Sequence, residues 1–180
     1  MNIFSDKMER EVLRQGDIIL NTQIMGAINL NGIIYQVNQQ NEKIAWSLNQ
    51  KPIFGPAIVL SHSCEIDTHN GIKLTSILLA PLRDINTATS KDKVQELIES
   101  NIVSDESEYS YIKYFYLPNH SLLPYTDGCI VDFSKCYSVK KQSYEGLVNN
   151  KVIQLDDEYA KHMAFKLSIY FYRDSCEVTA

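Results

Sequence analysis

Gly55-Pro56-Ala57-Ile58-Val59-Leu60-Ser61-His62-Ser63-Cys64-Glu65-Ile66-Asp67 is the stretch on which the reading of this chain turns. Gly55 and Pro56 punctuate its start. Residues 57–60 form an unbroken apolar run, the pattern of a strand covered on both faces. At Ser61 the composition changes abruptly, and the five residues 61–65 can all donate, accept or titrate. A strand held rigidly by burial that ends in polar groups is a common way to build a site.

Outward from this stretch, short β-branched runs recur between turn signals. Gly16-Asp17 feeds an apolar run at 18–20, and strand-like pieces follow at 24–28, 33–37 and 44–48, separated by Asn31-Gly32 and the asparagine- and glutamine-rich residues 38–41. Residues 73–82 read as a further buried strand ending at Pro81, and 128–133 and 135–139 as later ones. Two segments change period. Val94, Leu97 and Ile98 share a helical face within 91–100. Asp156, Asp157 and Glu158 supply a cap and first-turn acids for a helix over about 156–173. The expectation is a mainly β, α+β fold: a small antiparallel barrel (core about 13–140) with an inserted helix and a C-terminal helix, forming a single domain over 1–180. Tyr109, Tyr111, Tyr114, Phe115 and Tyr116 crowd one segment, which reads as a core or edge strand in preference to a stacking platform.

Composition narrows the function. Apolar residues are 44% and charged residues 22%, a globular mixture, and the net charge of -5 disfavours nonspecific binding to long nucleic acid. Apolar runs fall short of the roughly 18–20 residues that span a bilayer. Residues 1–6 lack a basic stretch followed by an apolar one, so a cytoplasmic protein with reduced thiols is expected. Cys64, Cys129, Cys136 and Cys176 include no C-x-x-C pair.

In an extended chain His62 and Cys64 point to one side, with Cα atoms roughly 6–7 Å apart. An imidazole beside a thiol favours the reactive thiolate, so Cys64 reads as a nucleophile with His62 as base and Asp67 or Glu65 orienting it. The competing reading is a structural cysteine packed as a small hydrophobe. Ser61, before the pair, and Ser63, between its two members, are candidate binding residues. His62, Cys64 and His69, with Cys129 or Cys136 as a fourth ligand, offer donors that suit zinc, but the spacing is not diagnostic and no cofactor is expected. Asp17 follows a strand-entry glycine and Asp132 sits inside an apolar strand, where a carboxylate needs a partner; Arg83 and Arg14 are the candidates. A structural ion pair or turn cap outweighs catalysis, and Asp17, Arg83 and Asp132 stand as candidate binding residues.

Gly16-Asp17, Ser61-His62-Ser63-Cys64-Glu65, Leu78-Leu79-Ala80-Pro81, Phe115-Tyr116-Leu117-Pro118, Val131-Asp132-Phe133 and the segment 162–173 together resemble a family of uncharacterised bacterial proteins. Most of the chain takes part. Glu65 stands where that family usually has Asp, and His62 where Gln is frequent, and no biochemical role comes with the likeness. Over residues 13–60 alone, Gly16-Asp17-Ile18-Ile19-Leu20 and Pro56-Ala57-Ile58-Val59-Leu60-Ser61 look like the opening strands of the MazF and PemK toxin endoribonucleases, which implies an SH3-like barrel. Three functions follow as expectations. The first is a nucleic-acid-acting barrel of toxin–antitoxin or phage-defence type, with residues 61–67 and Arg83 at its site. The second is a thiol-dependent hydrolase or transferase using Cys64 and His62 on a small substrate. The third is a noncatalytic module that docks a protein partner through the aromatic segment.

Overall fold

The computed structural model describes residues 3–24, 33–37, 40, 43–48, 53–66, 75–103 and 111–176. The β-branched runs become strands: β1 (Asp17–Ile24), β2 (Ile33–Val37), β3 (Lys43–Leu48), β4 (Ile53–Val59), β5 (Ser76–Asp84), β6 (Tyr114–Leu117), β7 (Cys129–Asp132), β8 (Tyr137–Lys140) and β9 (Lys151–Gln154). Helices α1 (Ser63–Ile66), α2 (Val94–Glu99), α3 (Tyr144–Asn149) and α4 (Asp157–Cys176) accompany them. Seven strands form one antiparallel sheet in the order β6-β7-β5-β4-β1-β9, with β8 also paired to β5, while β2 and β3 pair separately. The sheet curls into a half-barrel, so the expected small α+β barrel architecture is the observed one.

Pro56 and Pro81 lie inside strands where the sequence suggested boundaries. β4 begins at Ile53, before Gly55 and Pro56. Its partner β1 carries a bulge there: Ile19 faces Ala57 and Thr22 faces Gly55, so β1 has an extra residue opposite Pro56. Asn21, at φ 53, makes the bend. A proline lacks the ladder N–H and is tolerated at such an irregularity. β5 likewise runs past Pro81 to Asp84. On one edge β5 pairs with β8 up to Leu79 and with β7 from Leu82, and Pro81 falls in the gap. From Val131 to Tyr137 six steps answer three on β5, the excess taken up by the 3-10 turn Phe133–Lys135. Such insertions raise local twist, which curls the sheet.

The sheet is covered on both faces, as the apolar run at 57–60 requires. Ile18, Ile58, Ala80 and Leu82 pack on one side with Met163 and Leu167 of α4. Ile19, Ala57, Val59 and Leu79 pack on the other with Ile66 of α1 and Tyr144 and Leu147 of α3. Each fully buried aliphatic side chain contributes about 1.5–3 kcal/mol. Asp156 caps α4, its carboxylate accepting from the Glu158 amide at 3.0 Å. Neither α3 nor β9 is anticipated by the sequence reading. In α3, Gly146 interrupts the helical pattern of Tyr144, Leu147 and Val148; β9 is only four residues long.

The inserted helix α2 sends Leu97 into a small cluster with Ile85, Tyr114 and Ile130. Just beyond it, Asn101 brackets the backbone of edge strand β6: its Nδ2 donates to Tyr116 O (2.8 Å) and its Oδ1 accepts from Tyr116 N (2.7 Å). At the opposite end of the sheet, the Ser5 amide donates to Gln154 O and the Asp156 amide to Ile3 O (both 2.9 Å).

Lys166 of α4 is buried and donates from Nζ to the carbonyl and hydroxyl of Ser100, where α2 ends. Burial pulls its pKa down from 10.5 to about 7. Between those values the unfolded chain binds more protons, so this group makes stability rise with pH from about 7 to about 10.5, by at most about 1.4 kcal/mol per pH unit. Urea unfolding of Lys166→Met should therefore show a flatter dependence over that window than the unaltered chain; parallel curves would contradict it.

Candidate functional site

β4 ends at Val59, and the chain does not continue extended through Ser61, His62, Ser63 and Cys64 as the sequence reading supposed. It turns into the single helical turn α1. The reason is local hydrogen bonding. His62 precedes the turn and acts as its cap: Nδ1 accepts from the Cys64 amide at 3.3 Å, the role Asn or Asp usually takes, and its carbonyl accepts from the Glu65 amide at 3.0 Å. The turn brings the Cys64 thiol to His62, with Sγ 2.9 Å from Nδ1. Both side chains are exposed. Because an amide N–H only donates, the contact at Nδ1 selects the Nε2–H tautomer of the neutral ring, leaving Nδ1 as acceptor for the thiol proton.

Neighbouring elements brace this turn. Ser61 is buried, and its hydroxyl accepts from the Leu78 amide of β5 at 2.8 Å. Ser63 Oγ accepts from the Gln15 amide at 3.1 Å, and Gln15 Nε2 donates to Leu60 O at 2.7 Å. The Gly16 amide donates to Val59 O at 2.9 Å. Ser61 and Ser63, read from the sequence as binding residues, therefore have their oxygens committed to the backbone. Glu65 is exposed on the turn. Asp67, the other candidate orienting acid, and His69, the third zinc donor, lie outside the described residues. Among the described residues no group of three or more His, Cys, Asp or Glu side chains is arranged to hold a metal.

The Gln15 brace stands on a buried ion pair. Asp17 Oδ2 accepts from the Arg14 amide at 2.6 Å and from Lys151 Nζ at 3.0 Å, and Lys151 also donates to Val12 O at 2.7 Å. Asp17 is fully buried and its Oδ1 has no partner. Burial pushes the carboxyl up to about 6, against the opposing pull of Lys151 and the Arg14 amide. The partner is thus Lys151 of β9, not Arg14, whose guanidinium pairs with Glu9 at 2.6 Å. Sequence reasoning missed both Gln15 and Lys151. A lone lysine beginning an apolar strand is the signal that matched Asp17.

Asp132 has the pairing the sequence suggested. It is buried, receives Arg83 Nη1 at 2.6 Å, and caps the 3-10 turn after β7 by accepting from the Ser134 amide at 3.1 Å. This is a turn cap joined to an ion pair, at the place where β7 hands over to β8. Cys129 is buried and Cys136 half-buried. Burial, with Asp84 nearby, raises Cys129 to about 12, and burial, with Asp132 nearby, raises Cys136 to about 11. Tyr114 and Phe115 are core side chains, and Tyr109 lies outside the described residues.

No protein-family model and no curated protein matches this chain.

Removing one member of a buried pair strands the other's charge. Lys151→Met should cost about 3–5 kcal/mol in urea unfolding at pH 8. The cost should shrink at pH 5, where Asp17 takes up a proton. Adding Asp17→Asn should restore most of the loss, whereas additive losses would show that the two groups act independently.

Proposed function

We propose that the chain is a thiol-dependent hydrolase or transferase in which Cys64 is the nucleophile and His62 its base. The observation that supports this is the 2.9 Å separation of Sγ from Nδ1 on a turn open to solvent. The thiol proton passes to Nδ1, and the sulfur attacks an electrophilic acyl carbon of a small substrate. The imidazolium then protonates the leaving group, and water or a second acceptor releases the acyl group from sulfur with His62 again acting as base. The Cys64 amide gives up its contact with Nδ1 when that nitrogen is protonated. Gln15, Ser61 and Ser63 hold the turn while the proton moves.

A nucleic-acid-acting role in a toxin–antitoxin or phage-defence setting has the curled antiparallel sheet in its favour. Its charges speak against it: the chain carries -5, and Arg14, Arg83 and Lys151 each face a carboxylate. RNA or DNA binding at low salt that weakens steeply with added salt would move the assignment to that role.

The direct test is the rate of iodoacetamide labelling at pH 7 in a Cys176→Ser background. Cys129 and Cys136, with their raised pKa values, label slowly there. Cys64 should react about tenfold faster than an unstructured thiol, and His62→Ala should bring it back to the ordinary rate. Equal, slow labelling of both proteins would remove the nucleophile.

A further inference from the structure

At the end of β4 remote from the thiol turn lies an open cleft of about 320 Å³ that the proposed chemistry does not use. Its walls include Leu20, Pro56, Leu122 and Pro124, and its polar groups are Asn21 and Ser121. The volume is at the small end of the range for ligand pockets, roughly 300–1,000 Å³. Among the described residues, none that lines the cleft carries a charge. A carboxylate or an ammonium would lose water there without meeting a partner, which selects for a neutral occupant.

The second observation is how Asn21 comes to be there. It is the residue of the β1 bulge with φ 53, the left-handed region that glycine enters without strain and other residues enter at a cost. A bend alone is best made by glycine. Asparagine also adopts this conformation, and as a lining residue of the cleft it adds a carboxamide, one donor and one acceptor side by side. Asn21 and Ser121 are both exposed, and among the described residues neither side chain has a hydrogen-bond partner. A carboxamide is matched edge to edge by a group with the same donor–acceptor pair, namely an amide or a lactam.

We infer that the cleft between the β1 bulge and residues 121–124 is a binding site for a small uncharged molecule that presents an amide or lactam edge to Asn21 and an apolar body to Leu20, Pro56, Leu122 and Pro124. The site is separate from the thiol pair and stands whether or not Cys64 is a nucleophile.

Benzamide serves as the probe, with benzoate and benzylamine as charged counterparts of nearly the same shape. Each is titrated into the ¹⁵N-labelled full chain and followed by amide chemical shifts. Benzamide should shift the Asn21 side-chain amide and the Gly55 backbone amide with millimolar affinity, as a fragment of this size allows. Benzoate and benzylamine should bind at least about threefold more weakly. Asn21→Gly keeps the bend and removes the carboxamide; it should abolish the preference for benzamide without lowering the melting temperature. Leu122→Trp, which adds bulk at an exposed position on the rim, should weaken all binding. Equal affinity for the three probes, an unchanged affinity in Asn21→Gly, or no shifts up to about 10 mM benzamide would each overturn the site.

Discussion

Residues 57–60 have no face turned to water, and that double burial constrains what surrounds them. Each neighbouring strand must bring apolar side chains to both sides, and every polar atom near the run needs a partner inside the protein. The partners are specific. Where β4 ends, the Leu60 carbonyl receives Gln15, the Ser61 hydroxyl receives the Leu78 amide, and the Val59 carbonyl receives the Gly16 amide. The thiol turn begins immediately afterwards. Its position is therefore fixed by bonds that the buried strand needs in any case, which is how a surface turn of four residues comes to hold a thiol and an imidazole in register.

The same constraint makes the ion pair of Asp17 and Lys151 consequential. Taking both charges out of water is expensive, and replacing a buried pair by apolar residues is often neutral or favourable. What the pair does here is orient the turn at residues 14–17. Asp17 Oδ2 takes the Arg14 amide, so the following two residues face β4 and α1. The pair supports geometry more than it supports stability. Asp132 and Arg83 repeat the arrangement at the junction of β7 and β8, where a carboxylate caps the inserted turn and a guanidinium neutralises it.

Much of the architecture was legible because periodicity reports burial directly. The alternating and continuous apolar runs gave β1 to β8 nearly in place, and the acids at 156–158 gave the start of α4. What misled was proline. Pro56 and Pro81 read as strand ends because a proline removes a ladder bond, and only the partner strands reveal that the ladder was already interrupted at both places. α3 and β9 escaped because each is short and one is broken by glycine. At the site, the pairing of His62 with Cys64 was readable, but the helical turn that brings them together was not. An extended chain would set them side by side across a pleat, whereas a histidine acting as a helix cap folds its ring back onto the thiol. The supporting residues Gln15 and Lys151 are distant in sequence and carry no local pattern.

Both ends of the seven-stranded sheet are finished by unlike means. One outer strand is met by Ile3 and Ser5 from the chain's own beginning, and the other by a single carboxamide that imitates a passing backbone at Tyr116. Unpaired strand edges recruit other chains and seed fibrous assembly. The Asn101 carboxamide after α2 takes up the β6 backbone groups at Tyr116 that another strand would otherwise meet, and the backbone of Ile3 and Ser5 does the same beside β9. At these two margins the ladder groups of the outer strands are thus answered from within the chain, by a backbone segment at β9 and by a side chain at β6.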